Sequence, residues 1–291
     1  MAEPTVVTDA MLAERWPLEA PEHEATKDER GKVLVVGGAR STPGAVLLAG
    51  LAALRVGAGK LTIATCDVYA ATLGVEVPEA GVFGLPTTAG GGLDPSAAGQ
   101  VAELAADVDA VLFGPGMTEP ENTRALIGGV MKAVDGSPVF VLDAMAATCG
   151  ALDDSGPNWV ITPNTPEAGY LLDDTDGEDH DIALRLAERY GVTAVLGDAT
   201  ATPDGRVFAV PKGNPGLGTS GSGDVLAGAV AGVAARTGDP LTAALWGLAL
   251  HGEAGDRLAA RVGRVGFLAR ELLDELPGCL RDLTADRGAD S

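Results

Sequence analysis

The stretch Lys212-Gly213-Asn214-Pro215-Gly216-Leu217-Gly218-Thr219-Ser220-Gly221-Ser222-Gly223-Asp224 runs directly into Val225-Leu226-Ala227-Gly228-Ala229-Val230-Ala231-Gly232. Five glycines, Gly213, Gly216, Gly218, Gly221 and Gly223, fall within eleven residues. That much backbone freedom costs entropy, and an ordinary surface turn would not justify it. The residues after Asp224 carry neither proline nor charge and mix Val and Leu with Ala and Gly, which predicts a buried, closely packed helix. The unsatisfied N–H groups at the start of such a helix, with the positive end of its dipole, face the glycine loop. This is how a phosphate site is built. Ser220, Gly221, Ser222 and Gly223 supply its donors. Asp224 falls in the first helical turn, where a carboxylate either caps the helix or accepts a proton from a bound hydroxyl. The P-loop spacing, Gly-Lys-Ser/Thr at the helix start, is absent, and no early acidic ribose-binding signal marks a Rossmann unit.

Working outward, Lys32-Val33-Leu34-Val35-Val36 ends in Gly37-Gly38 and reads as a strand buried on both faces. A helix over 45–56 and a second apolar run over 61–64 complete a βαβ unit, whose right-handed crossover makes the strands parallel. Short helices are expected over 69–73 and 95–104, with a loop over 86–92. Ala110-Val111-Leu112-Phe113 runs into Gly114-Pro115-Gly116-Met117, and Val139-Phe140-Val141-Leu142 delivers Asp143 at its carboxyl end. Trp159-Val160-Ile161 leads to Thr162-Pro163-Asn164-Thr165-Pro166-Glu167. Ligands of open α/β sheets lie at such strand ends, although a strand-end Asp is as often a helix cap. A helix over 179–190, a strand over 193–196 and a hairpin turning at Asp204-Gly205 follow. Beyond the glycine stretch, Asp239-Pro240 starts a helix running to His251, and 268–276 forms a closing helix. His251 has no acid or nucleophile beside it in sequence and reads as a packed histidine.

The glycine stretch closely resembles G-N-P-G-M-A-T-G-G-T-G-D-V-L-x-G, the signature of the ADP/ATP-dependent NAD(P)H-hydrate dehydratases of the ribokinase-like superfamily. Val35 to Gly59, Val77-Pro78-Glu79-Ala80, Gly114-Pro115-Gly116 and His251-Gly252-Glu253-Ala254-Gly255-Asp256 resemble further family blocks. The resemblance implies a ribokinase-like three-layer α/β sandwich with a mainly parallel central sheet. It also implies an enzyme that phosphorylates the C6 hydroxyl of hydrated NADH or NADPH with ADP or ATP, then eliminates phosphate. By the same resemblance, Asp224 is the catalytic base, and Ala45, Gly116, Asn164 and Asp143 border the substrate, Asp143 orienting magnesium or water. Asn214 and Ser220 to Gly223 hold the nucleotide. Two departures stand out. Asn164 replaces the histidine of L-T-P-H-x-x-E and cannot carry a proton. Gly197 stands where the family's L-K-G has its phosphate-gripping lysine, leaving Lys212 as the candidate substitute.

With 291 residues, 46% of them hydrophobic, the chain can bury a large core. Its domain is expected over 31–280, preceded by a loosely ordered arm over 1–30 and followed by a disordered tail over 281–291. Twenty Lys+Arg against 41 Asp+Glu give a net charge of −21, which argues against nucleic acid or an anionic membrane as partner. Any phosphate ligand must be held by local donors against that field. Three scattered cysteines suggest neither a disulfide framework nor a zinc site. No signal peptide or membrane span is apparent, so a cytoplasmic protein is expected. The resemblance further implies Mg2+ with the nucleotide, a homo-oligomer of tetrameric form, and a separate NAD(P)H-hydrate epimerase working alongside. Two other readings stay open: a ribokinase-like kinase of a vitamin precursor, which would stop at a stable phosphoester, and a nucleotide-binding relic, which would bind without turnover.

Overall fold

A computed structural model of the chain describes residues 3–18, 26–134 and 137–285. Short runs of apolar residues form the inner strands of the sheet because these are buried on both faces, whereas β1 and β4 are partly exposed. The strands are β1 (Thr5–Val6), β2 (Lys32–Val36), β3 (Lys60–Cys66), β4 (Ala80–Leu85), β5 (Ala110–Phe113), β6 (Val139–Leu142), β7 (Trp159–Ile161), β8 (Thr193–Leu196), β9 (Ala199–Ala201) and β10 (Val207–Ala209). They lie in the order β1-β10-β9-β8-β7-β6-β5-β2-β3-β4. Strands β4, β3, β2, β5, β6, β7 and β8 run parallel, and only β9 is antiparallel to its neighbours. The chain winds outward from β2 to β4, returns to the other side of β2 with β5, and continues to β8. The crevice between the carboxyl ends of β2 and β5 is therefore the topological switch point.

Alternate residues of each strand feed two cores. Val33, Val35, Leu112, Val141 and Val195 pack beneath α2 (Gly44–Arg55), α9 (Ser222–Thr237), α10 (Pro240–Arg261) and α11 (Ala269–Ala285). Leu34, Val36, Phe113, Leu142 and Leu196 face α4 (Ala98–Ala105), α5 (Pro120–Ala133), α6 (Ala144–Thr148), α7 (Thr165–Leu171) and α8 (Asp179–Tyr190). This is the three-layer ribokinase-like sandwich. The glycines of α9 bring it against α2: a Cβ on Gly228 would lie 2.1 Å from the Ala49 carbonyl oxygen, and one on Gly232 would lie 2.6 Å from that of Ala53. The two contact positions advance together, so the helices run parallel and start at the same end of the sheet.

Several elements differ from the sequence expectation. The expected arm is partly ordered. Thr5–Val6 adds a strand beside β10, and α1 (Asp9–Arg15) is capped by Thr8, whose Oγ1 accepts from Met11 N at 3.2 Å. The Trp16 ring meets Phe208 edge-on at 5.4 Å, and Trp246 Nε1 donates to the Trp16 carbonyl. Prolines and acids dominate the composition there and hide a short helix whose buried face is only Leu12 and Ala13. Of the expected disordered tail, residues up to Ala285 belong to α11, and 286–291 lie outside the described residues. Helix α11 continues through Pro277 because Cys279 and Leu283 beyond it are buried. Leu12, 1% exposed, tests the docking of α1. Leu12→Ala is expected to cost about 3 kcal/mol in urea unfolding; a cost near zero would return the segment to an undocked arm.

Candidate active site

Two helix N-termini open at the carboxyl end of the sheet, and neither takes a side-chain cap: α2 starts after Pro43 and α9 after Gly221. Among the described residues, nothing in the protein accepts from the N–H groups of Gly221, Gly223 or Asp224. Gly221 has φ +89°, which turns the chain into the helix, and a Cβ there would strike Leu48 Cδ1 at 2.6 Å. A Cβ on Gly223 would meet nothing within 4 Å, so that side of the loop is open. The expectation of an amide-lined anion cradle at this helix start therefore fits the geometry.

The loop's other side chains serve the loop itself. Ser222 is buried, its Oγ lies 2.9 Å from His251 Nε2, and its N–H donates to the Thr219 carbonyl. Burial pushes the His251 pKa down to about 4, so the ring is neutral. Asn214 Oδ1 accepts from Gly216 N at 2.9 Å, capping a 3-10 turn over Pro215–Leu217, while Nδ2 donates to Asp256 at 3.1 Å. Ser220 is exposed at the mouth.

The departure at the family's lysine position is structural as well as chemical. Gly197 has φ +58°, and a Cβ there would meet the Asp179 carboxylate at 1.9 Å. Burial raises the Asp179 pKa, and the charges of Asp198 and Glu178 raise it further. This corner is acidic where a cation was expected. Lys212, the candidate substitute, has its Nζ held at 2.9 Å by Glu253 and 3.2 Å by Asp9. Its charge is balanced by the chain's own acids.

Of the residues expected at the substrate, Ala45 and Gly116 meet at the switch point. Gly38 N donates to the Pro115 carbonyl at 2.7 Å, and Thr42 Oγ1 donates to the Gly116 carbonyl at 2.7 Å. A Cβ on Gly116 would lie 2.9 Å from that of Ala45, so the two residues face each other. Asp143 follows β6 but forms no helix cap; Thr162 Oγ1 donates to its Oδ1 at 2.8 Å. The next residue, Ala144, holds φ +47°, a strained conformation of the kind found at functional sites. Asn164 caps α7 in a reciprocal pair with Glu167: Oδ1 accepts from Glu167 N at 2.9 Å, and Glu167 Oε2 accepts from Asn164 N at 3.0 Å. Its expected role at the substrate is thus accompanied by a local capping role.

Two carboxyls bear the electrostatics of the site. Burial alone raises the Asp224 pKa to about 6. Asp143, 5% exposed, rises to about 7: burial dominates, the Thr162 hydrogen bond opposes it, and the charges of Asp224 and Glu167 add to it. Because its folded pKa lies above the unfolded value near 3.9, Asp143 adds stability below that value, which is lost as pH rises towards 7. Asp143→Asn removes this loss. The variant is expected to be more stable than wild type at pH 8, by at most about 4 kcal/mol, with the gain shrinking on acidification to pH 4. A gain independent of pH would show that Asp143 does not titrate there.

Three contacts were hidden in the sequence: Thr162 was not separated from its turn, and the partners of His251 and Asp256 lie on another helix and a distant loop. The NAD(P)H-hydrate dehydratase family model matches residues 33–278. The ADP-dependent (S)-NAD(P)H-hydrate dehydratase of Xanthomonas campestris is 43% identical over 284 residues, covering 95% of this chain and 96% of that protein. The bifunctional NAD(P)H-hydrate repair enzyme of Moorella thermoacetica is 37% identical over 90% of this chain, which spans 52% of its length. Among solved structures, the ADP/ATP-dependent NAD(P)H-hydrate dehydratase of Bacillus subtilis, crystallised with ATP and Mg2+, has a TM-score of 0.82 at 26% identity. That match covers 97% of this chain and 100% of that one.

Proposed function

Since the chain belongs to the NAD(P)H-hydrate dehydratase family, we propose that it repairs hydrated NADH and NADPH of the S configuration at the expense of ADP. The observation that carries this reading is the uncapped start of α9, with Asp224 in its first turn, at the same sheet end as the Gly116–Ala45 contact. The choice of ADP rests on the Xanthomonas relative.

Asp224 takes the proton of the substrate's C6 hydroxyl, and the oxygen attacks the terminal phosphorus of ADP, whose bond to the bridging oxygen breaks so that AMP leaves. The amides of Gly221 and Gly223, fixed before the reaction, receive the charge on that group. Phosphate then leaves C6 as the ring nitrogen lone pair forms N1=C6, and loss of a C5 proton to the departing phosphate restores the dihydronicotinamide. A hydroxyl is a poor leaving group and a phosphate a good one, which is why the nucleotide is spent. Asp143 lies beneath this centre, where its carboxyl orients water or a hydrated ion. Among the described residues, no three His, Cys, Asp or Glu converge as metal ligands. Magnesium would accordingly arrive with the nucleotide, held by phosphate oxygens and water.

No helix of the described residues is long and apolar enough to cross a membrane. This chain spans 52% of the length of the bifunctional relative of Moorella thermoacetica, and we propose that an NAD(P)H-hydrate epimerase activity works alongside to supply the S form. The test is the product. Incubation with hydrated NADH and ADP is expected to release inorganic phosphate and NADH in equal amounts; an accumulating phosphoester would instead establish a kinase.

A further inference from the structure

The segment His251–Asp256 of α10 has no part in the chemistry above, yet nearly every residue of it touches the glycine loop. The His251 ring holds Ser222 Oγ at 2.9 Å. Gly252 admits the approach strand so closely that a Cβ would lie 2.7 Å from that of Lys212, and Glu253 binds the same lysine's Nζ at 2.9 Å. A Cβ on Gly255 would fall within 2.9 Å of three Leu217 side-chain atoms. Asp256 accepts from Gly213 N at 2.9 Å and Asn214 Nδ2 at 3.1 Å. Residues 251 and 255, and 252 and 256, share faces of the helix by the i, i+4 rule.

We propose that His251–Asp256 is a positioning cradle for the phosphate loop, with Asp256 as the clasp at its start and His251 as the clasp at its end. This rests on the reading of the loop as the nucleotide site. Asp256 fixes Gly213 directly, and it fixes the Pro215–Leu217 turn through Asn214, whose oxygen caps that turn. His251 fixes Ser222, the first residue of α9. The amides of Gly221 and Gly223 flank the clasped Ser222 and are fixed with it before any ligand arrives, so binding does not bear the cost of ordering them. The charge of Asp256 makes the arrangement informative. Glu253 is matched by Lys212 and Arg257, whereas the hydrogen bonds of Asp256 come from neutral amides. A carboxylate beside a phosphate site repels the ligand through space. Removing it should tighten nucleotide binding if charge alone matters, and weaken binding if the clasp matters.

The test compares Asp256→Ala and His251→Phe with wild type by calorimetry, using ADP and, separately, NADH as a probe of the proposed substrate side. Each variant is expected to raise the ADP Kd tenfold or more while NADH affinity stays within twofold, and Asp256→Asn, which keeps one acceptor for Gly213 N–H, should fall between. An unchanged or tighter ADP Kd in Asp256→Ala would overturn the cradle, as would parallel loss of ADP and NADH affinity. His251→Phe decides the matter should Asp256→Ala fail to fold. If wild type itself binds neither ADP nor ATP, the functional reading fails. The cradle is then judged by hydrogen exchange over residues 213–224, which should quicken at least tenfold in the variants and would refute it if unchanged.

Discussion

Asp224→Asn should leave a folded protein whose dehydration rate is lower by about a hundredfold or more, the usual worth of a positioned base. The N-cap of α9 is Gly221, and no side-chain capping bond is made there, so the carboxylate holds no helix end that the amide would release. Replacing a half-buried acid by a neutral amide of the same shape also relieves the burial that raises its pKa. The dipole loses a favourable charge, worth about 0.3–1 kcal/mol, and the two changes oppose each other. At pH 8 the relief is worth at most about 3 kcal/mol, more than the dipole loss, so the melting temperature should hold or rise while kcat collapses. The same carboxyl sets a pH profile: a base with a pKa of about 6 is progressively protonated below that value, so the wild-type kcat should rise to a plateau above it. A variant retaining the wild-type rate would remove Asp224 from the mechanism.

Gly114→Ala should cost more than about 3 kcal/mol in stability and most of the activity. Gly114 has φ +128°, open to glycine and to almost nothing else, and a Cβ there would lie 1.9 Å from the Asp143 carbonyl oxygen and 2.7 Å from its carbonyl carbon. Both are backbone atoms at the end of a buried strand, so nothing flexible can yield. The displacement falls on Asp143 and its bond to Thr162. Gly223→Ala is the control: its methyl would meet nothing within 4 Å, so the variant should fold as well as wild type. Thermal and urea unfolding of both variants check the contrast; equal stability would mean that β5 and β6 are not this close.

How far the sequence could be read follows from the same physics. Strands buried on both faces become uninterrupted apolar runs, so β2, β5, β6 and β8 were legible. The edge strand β4 alternates half-buried and exposed residues and carries Gly81 and Gly84, and it went unread. Helix α10 continues beyond His251 because its last turns carry a charged face, which masks the end of an otherwise apolar helix. The glycine loop declared its chemistry locally, as did Asp224 in the turn behind it. What holds the loop did not: Ser222 and His251 are 29 residues apart, and Gly213 and Asp256 are 43 apart. A pairing at that separation leaves no local pattern. Lys212, Asn214 and Ser222 were legible as donors for a ligand, but their partners within the chain were not, since a sequence shows a donor and not what already faces it.

The most direct test of the central claim is a structure of this protein with ADP or ATP and magnesium bound. The transferable phosphate is expected against the backbone N–H groups of Gly221 and Gly223, with the Asp224 carboxylate within hydrogen-bond reach of the substrate hydroxyl. A nucleotide bound elsewhere, with the start of α9 facing bulk solvent, would contradict the account.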